Sequence, residues 1–191
     1  MEPRNGLAVC PECGRADGAA ELGPLFIVTG ASGSGKTAVL APLARRLAGR
    51  CVTFDADLLM DAAGALSGGQ AVSWPAFRDA WLAVAHGVAQ SGMPTVLLGP
   101  FIPGHLRELP ARRWIADIHF LVLDCPDELR RARINARPPW RSRDTEEQLE
   151  FGRWLRRNIP DSVDTSSGTP EDTAVSIAAW IDRHLTATPT K

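Results

Sequence analysis

The chain has 191 residues, of which 45% are hydrophobic, 23% charged and 6% aromatic. This length and composition are typical of one globular domain and exclude a disordered or fibrous protein. Twenty-one basic and 22 acidic side chains leave a net charge of -1, so no overall field attracts nucleic acid or an anionic membrane. No apolar run approaches the roughly 20 residues that cross a bilayer, and residues 1–5 lack the apolar core of a signal peptide. We therefore expect a cytoplasmic protein that binds neither membranes nor nucleic acid.

Residues 1–24 carry cysteines, glycines, prolines and charges without periodicity, and predict a flexible amino-terminal arm. Cys10 and Cys13 in this arm form a Cys-x-x-Cys pair, which is half of a tetrahedral zinc site. A zinc site shared by two chains, or completed by a distant histidine, stays open. We favour free thiols here, and we expect Cys51 and Cys125 to be reduced as well.

The folded body is predicted over residues 25–187. Five short apolar segments predict buried parallel strands: 25–29, 51–54, 95–98, 118–123 and 162–165. Helices are predicted between and after them, over residues 36–48 and 58–63, after Ser73, after Pro126, from Asp144 to about Asn158, and after Thr169. This alternation predicts an α/β fold, in which helices cover both faces of a five-stranded parallel sheet.

The segment between the first strand and the first helix reads Gly-Ala-Ser-Gly-Ser-Gly-Lys-Thr over residues 30–37, which fits the phosphate-loop (P-loop) pattern. Backbone amides of such a loop bind phosphate at the amino end of a helix. We expect Lys36 to reach the β and γ phosphates of ATP and the Thr37 hydroxyl to ligate Mg²⁺. The expected nucleotide-binding residues are Gly30, Ser32, Gly33, Ser34, Gly35, Lys36, Thr37 and Ala38. The alternative is an ordinary turn with a solvated lysine, but Lys36 and Lys191 are the chain's only lysines.

Several classes of P-loop NTPase are disfavoured by the rest of the sequence. A GTPase needs an Asn-Lys-x-Asp motif, and no lysine lies between Lys36 and Lys191. Residues 66–70 spell Leu-Ser-Gly-Gly-Gln, a string found in ABC transporter ATPases. The strand after this string ends at Leu98 without the Asp-Glu pair of those ATPases, so we interpret the match as accidental. The same missing acids argue against a motor ATPase.

Asp55 and Asp57 follow the second strand, at the same edge of the sheet as the phosphate loop. One carboxylate there can hold Mg²⁺, while the other accepts a hydroxyl proton and directs that oxygen at the γ phosphate. The alternative is that these acids cap the next helix, which aspartate does well.

Six arginines and no acid lie between residues 130 and 143, together with Pro138 and Pro139. Arginines on a closing lid can meet the charge that develops during phosphoryl transfer. We predict an Arg-rich lid over about residues 130–143, with Arg133 and Arg137 as its catalytic members. A solvated basic face or an RNA-binding patch is the alternative interpretation.

With these motifs in place, residues 25–187 resemble the P-loop small-molecule kinases, which include shikimate and gluconate kinases, nucleoside and nucleotide kinases, and chloramphenicol phosphotransferase. The resemblance implies ATP- and Mg²⁺-dependent transfer of the γ phosphoryl group to a hydroxyl of a small molecule. It implies that Asp55 lies near the metal and that Asp57 is the base. The stretch from Arg137 to Arg141, with the later Asp-Thr-Ser at 164–166, resembles bacterial proteins labelled nucleoside kinase.

The acceptor is expected to be a nucleoside, because aromatic side chains are available to build a stacking pocket. Trp81 and Phe101 are the expected aromatic contacts, beside Asp57, although the helical spacing of Trp81 favours a core role for it. An antibiotic-modifying O-phosphotransferase and a nucleoside monophosphate kinase remain alternatives, and the latter needs an arginine such as Arg78 at the acceptor. A nucleotide-sensing or RNA-binding module is the alternative outside enzymes, and a homodimer stays open.

Overall fold

A computed structural model describes residues 2–19, 24–60, 62–63, 71–138 and 144–187. The strands in these residues are β1 (Glu2–Arg4), β2 (Leu7–Val9), β3 (Ala16–Ala19), β4 (Leu25–Thr29), β5 (Val52–Asp55), β6 (Thr95–Leu98), β7 (Ile118–Asp124) and β8 (Ser162–Asp164). The α-helices are α1 (Lys36–Arg46), α2 (Trp74–Ala89), α3 (Asp127–Asn135), α4 (Thr145–Asn158) and α5 (Pro170–Ala187).

Strands β4 to β8 form the predicted five-stranded parallel sheet, in the order β5-β6-β4-β7-β8. The central strand β4 pairs with β6 on one side and with β7 on the other. The chain therefore places β5 and β6 on one side of β4, and then β7 and β8 on the other side. In an open parallel sheet, this switch point leaves a crevice at the carboxyl ends of the strands, where ligands bind.

Helices cover both faces of this sheet, as the sequence predicts. Phe26 and Val28 are fully buried on the face that carries α1 and α5, where they pack with Leu43 and Ile177. The intervening β4 residues face α2 on the other side. Side chains of a strand point alternately to opposite faces, so a strand buried on both faces is apolar throughout.

The predicted amino-terminal arm contains a second sheet. Strands β1, β2 and β3 pair antiparallel, and the β1–β2 turn is Asn5-Gly6, both at positive φ (52° and 77°). This finding corrects the expectation of a loose segment over residues 1–24. The Asn-Gly pair is a strong hairpin signal, and the strands it joins are too short to show a periodic pattern.

The helices predicted after Ser73, Pro126, Asp144 and Thr169 all form. The Ser73 hydroxyl accepts a hydrogen bond from the Ala76 amide at the start of α2, and the Asp144 carboxylate accepts one from the Glu147 amide at the start of α4. The helix predicted over 58–63 begins two residues earlier, as the 3-10 helix Ala56–Leu59, and residues 60 and 62–63 are α-helical. In the described part of the chain, no helix combines the length and apolarity needed to span a bilayer.

Candidate functional site

A cavity of about 860 Å³ opens at the carboxyl edge of the sheet, and the loop between β4 and α1 forms its floor. All the residues expected to bind nucleotide line it: Gly30, Ser32, Gly33, Ser34, Gly35, Lys36, Thr37 and Ala38. Gly33 and Gly35 have φ of 81° and 96°, a region that favours glycine. A Cβ atom on Gly30 would lie 2.7 Å from the Leu123 carbonyl oxygen. Glycine is therefore required at Gly33 and Gly35 by the backbone conformation, and at Gly30 by the close packing against the neighbouring strand β7.

Lys36 lies over the loop, with its ammonium group donating hydrogen bonds to the carbonyl oxygens of Gly30 and, at 3.2 Å, Ala31. Burial, with a smaller effect of the positive charge of Arg137, lowers the pKa of Lys36 to about 8, although Asp55 and Asp57 oppose the shift. A buried ammonium without a full counter-charge is a strong attractor for phosphate.

Asp55 and Asp57 have separate roles at the end of β5. The Asp55 carboxylate accepts a hydrogen bond from the Asp57 amide at 3.0 Å and caps the 3-10 helix. Asp57 is exposed and lines the cavity. The capping alternative therefore applies to Asp55, and Asp57 is the carboxylate that faces the cavity. Both acids are close enough to Lys36 to raise its pKa.

The donor set of the cavity fits a magnesium ion. Mg²⁺ prefers hard oxygen ligands, and P-loop sites hold it through a hydroxyl, one or two carboxylates and the phosphates of the nucleotide. Thr37 and Asp57 are exposed and both line the cavity. The Asp55 carboxylate is next to them, hydrogen-bonded to the Asp57 amide. The described residues contain no group of three Asp, Glu, His or Cys side chains that could hold a metal alone. Bound phosphate would supply the remaining ligands.

Arg133 ties the phosphate loop to the end of β8. Its guanidinium donates to the Gly33 carbonyl (3.2 Å), the Thr165 hydroxyl (3.2 Å) and the Thr165 carbonyl (2.7 Å). The Thr165 hydroxyl lies 3.0 Å from the Ser34 carbonyl oxygen and 2.9 Å from that of Asp124. Arg133 and Thr165 both line the cavity. Arg133 therefore positions the loop, which differs from the predicted role on a moving lid.

In the described part of the predicted lid, residues 130–138, the arginines have different surroundings. Arg130 is fully buried in α3, where it forms an ion pair with Asp124 and donates to the Ser32 carbonyl at 3.4 Å. Arg130 therefore supports the phosphate loop through the Ser32 carbonyl. Arg137, after the end of α3, lines the cavity as expected. The rest of the predicted lid, residues 139–143, lies outside the described residues. The Leu-Ser-Gly-Gly-Gln string at 66–70 also lies outside them.

Two predicted acceptor contacts need correction. Trp81 is 0% exposed and its indole N–H donates to the Ala56 carbonyl at 3.2 Å, while Phe101 is 2% exposed. Both side chains belong to the core between α2 and the sheet: Trp81 is on the face of α2 that packs on the sheet, and Phe101, in the loop after β6, packs into the same cluster. Arg78 does line the cavity, with its guanidinium 5.9 Å from the centre of the Trp74 ring. Burial lowers the pKa of Arg78.

Helix α4 supplies cavity residues that the sequence did not single out. Glu147, Gln148 and Phe151 all line the cavity. The side-chain oxygen of Gln148 accepts a hydrogen bond from the Ser32 amide of the phosphate loop at 2.7 Å. Gln148 and Phe151 are three residues apart and therefore lie on the same face of α4. This spacing is the one feature of the sequence that could have indicated a shared cavity wall.

The structure is similar to solved kinases and to a tunicamycin resistance protein. A sugar kinase from Janibacter sp. HTCC2649 has a TM-score of 0.61 at 20% identity, over 84% of this chain and 95% of that one. A gluconokinase from Sinorhizobium meliloti 1021 has a TM-score of 0.57 at 19% identity, over 87% and 97%. The tunicamycin resistance protein of Deinococcus radiodurans has a TM-score of 0.61 at 21% identity, over 83% and 95%. These likenesses confirm the predicted P-loop kinase fold.

No curated protein matches the chain. Residues 25–157, from the first strand of the parallel sheet almost to the end of α4, match the AAA domain family. This match covers well over half of the chain and includes the phosphate loop, both acids after β5 and the arginines of α3. The chain therefore belongs to the AAA domain family.

Proposed function

We propose that the protein is an ATP- and Mg²⁺-dependent phosphotransferase, which moves the γ phosphoryl group to a hydroxyl of a small molecule, specifically a nucleoside. The observation that carries the proposal is that Asp57 and the phosphate loop line one cavity. A kinase needs a phosphate site and an acceptor-side carboxylate that open to the same space, because transfer is in line between the two.

One side of the cavity suits the nucleotide. The loop amides and Lys36 would hold the phosphates, and Thr37 would bind the metal. The residues from Thr165 to Thr173 that line the cavity lie beyond the loop, together with Arg133, and would enclose the base. Mg²⁺ bound there would supply positive charge that offsets the negative charge developing on the phosphoryl oxygens.

The other side suits a ring-bearing acceptor with a free hydroxyl. Trp74 is half exposed beside Arg78 and offers a stacking surface. Asp57 is an exposed carboxylate, free to accept the hydroxyl proton as the oxygen attacks the γ phosphorus. The sugar kinase and gluconokinase of similar fold support a hydroxyl acceptor in general. The nucleoside is favoured here by the aromatic side chain at the cavity.

The test is ADP release by the purified protein with ATP and Mg²⁺, scanned over nucleosides, nucleoside monophosphates, sugars, sugar acids and nucleoside antibiotics. We expect stimulation by nucleosides, and a loss of about 10²- to 10⁴-fold in stimulated turnover in Asp57→Asn, as for removal of a general base. Asp182→Asn is the matched control, since Asp182 pairs with Arg50 on the surface of α5. Stimulated turnover that survives in Asp57→Asn would refute the assignment of the base, and stimulation by sugars alone would refute the nucleoside.

A further inference from the structure

The Cys-x-x-Cys pair lies in the turn between strands β2 and β3, outside the cavity. The Cys10 amide donates to the Arg15 carbonyl at 2.9 Å, and the Gly14 amide donates to the Cys10 carbonyl at 2.9 Å. Gly14 has φ of 71°, which lets the chain reverse within these few residues. The paired strands on either side therefore fix the turn, and with it the positions of both thiols.

The two thiols of this turn are close enough to interact. Backbone N–H groups of Cys13 and Glu12 donate to the Cys10 sulphur, and the Cys13 side chain is also within hydrogen-bond reach of it. The thiolate is the form of cysteine that binds metal. Cys13 is exposed and Cys10 is half-buried, so both can meet an ion from solvent.

Two thiolates are only half of the four ligands of a structural zinc site. The described residues offer no completion from the same chain: no three Cys, His, Asp or Glu side chains are grouped in them to hold a metal. Cys51 and Cys125 are buried in the body. His119 is half-buried and stacked on the Phe26 ring, with its ring centre 4.4 Å from that of His184.

A second copy of the chain would bring an identical pair of thiolates, related by a twofold axis, which is the commonest symmetry of homo-oligomers. We propose that Cys10 and Cys13 are half of a zinc site, and that two copies of the chain share one Zn²⁺ through four cysteine sulphurs. This replaces the interpretation of free thiols that the sequence favours, because the fixed turn already holds the pair in place before any metal binds. The proposal does not depend on the function of the cavity.

The test uses the full chain, reduced and stripped of metal with a chelator, and titrated with Zn²⁺ alone. Zinc uptake is measured by competition with a chromophoric chelator, and mass by analytical ultracentrifugation. We expect one zinc ion for every two chains, a dimer that forms with zinc, and reversal to monomer by excess chelator. Titration with Co²⁺ should give the intense absorption of a tetrahedral ion bound by four thiolates.

Cys10→Ser and Cys13→Ser should each abolish zinc uptake and dimer formation, while Cys51→Ala, which removes a buried thiol of the body, should retain both. Unchanged far-ultraviolet circular dichroism and ATP binding in the serine variants would show that the body is folded. Uptake of one zinc ion per monomer would overturn the shared site. Zinc uptake that persists in both serine variants, or no uptake by the reduced chain, would overturn the site itself.

Discussion

The Gln148 side-chain oxygen and the Ser32 backbone N–H form a 2.7 Å hydrogen bond between residues 116 positions apart in the chain. Ser32 belongs to the phosphate loop, and Gln148 lies on α4, which also contributes Glu147 and Phe151 to the cavity. The loop amide that a phosphate oxygen would use is therefore already bonded to a side chain. Phosphate binding has to replace this bond, which couples nucleotide binding to the position of α4.

Gln148→Ala should tighten ATP binding by about two- to tenfold. The reason is that the competing hydrogen bond, with a net value of about 0.5–1.5 kcal/mol, is removed from the ligand-free protein. Gln148→Glu should weaken binding, since a carboxylate beside the loop repels phosphate. Isothermal titration calorimetry with ATP measures both, and Gln90→Ala on α2, whose side chain bonds to His86, is the control. Weaker binding in Gln148→Ala would instead identify Gln148 as a ligand of the nucleotide.

Arg130→Ala should lower the free energy of unfolding by about 3–5 kcal/mol, the usual effect of breaking a buried ion pair. Arg130 is 0% exposed, bonded to Asp124, and a Cβ atom on Gly152 would lie 3.1 Å from its guanidinium. Arg131→Ala is the matched control: its ion pair with Glu146 is exposed, so we expect a change within about 0.5 kcal/mol. Urea denaturation measures both, and similar losses in the two variants would contradict the structural role of Arg130.

Much of the body follows from sequence because its signals are local. A short apolar strand followed by Gly-x-x-x-x-Gly-Lys-Thr specifies β4, the loop and the start of α1, and the conformation of Gly33 and Gly35 requires the residue type that the motif contains. Ser73 and Asp144 mark the starts of α2 and α4 in the same way, since a capping side chain acts within three residues of itself.

The parts that the sequence did not specify depend on contacts between distant residues. Arg130 and Arg133 have the same spacing pattern as a solvated basic face, yet one is buried against Asp124 and the other bonds to Gly33 and Thr165. Trp81 has an aromatic ring suited to either a pocket or a core, and the packing of α2 on the sheet decides for the core. No local rule distinguishes these outcomes, because each is set by which elements meet in three dimensions.

Thr165→Val should lower the free energy of unfolding by about 1–3 kcal/mol and weaken ATP binding. The hydroxyl lies within hydrogen-bond distance of the Ser34 and Asp124 carbonyl oxygens and accepts from Arg133, so the isosteric valine leaves these groups with an apolar neighbour. Thr165→Ser keeps the hydroxyl and should retain most of the stability and affinity. Thermal unfolding and calorimetric titration with ATP compare the two variants. Equal behaviour of serine and valine would show that the hydroxyl does not hold the loop.

Lys36→Met should abolish ATP binding and yet stabilise the folded protein near neutral pH. Burial lowers the pKa of Lys36 from 10.5 to about 8, so between these values the folded protein holds fewer protons than the unfolded chain. The free energy of unfolding therefore rises with pH across this window, and the destabilising effect of Lys36 is fully present below about pH 8. Methionine has no charge to bury, so the variant lacks this effect at every pH.

The measurement is urea denaturation of both proteins at several pH values between about 7 and 10.5, because the difference between them isolates Lys36 from the other titrating groups. We expect the stability advantage of Lys36→Met to be largest at the lowest pH and to shrink as pH rises through the window. A constant advantage would mean that methionine stabilises by packing alone and that Lys36 titrates near its ordinary pKa. Since the charged form binds phosphate, the ATP affinity of the unsubstituted protein should fall above about pH 8, where the ligand-free lysine loses its proton.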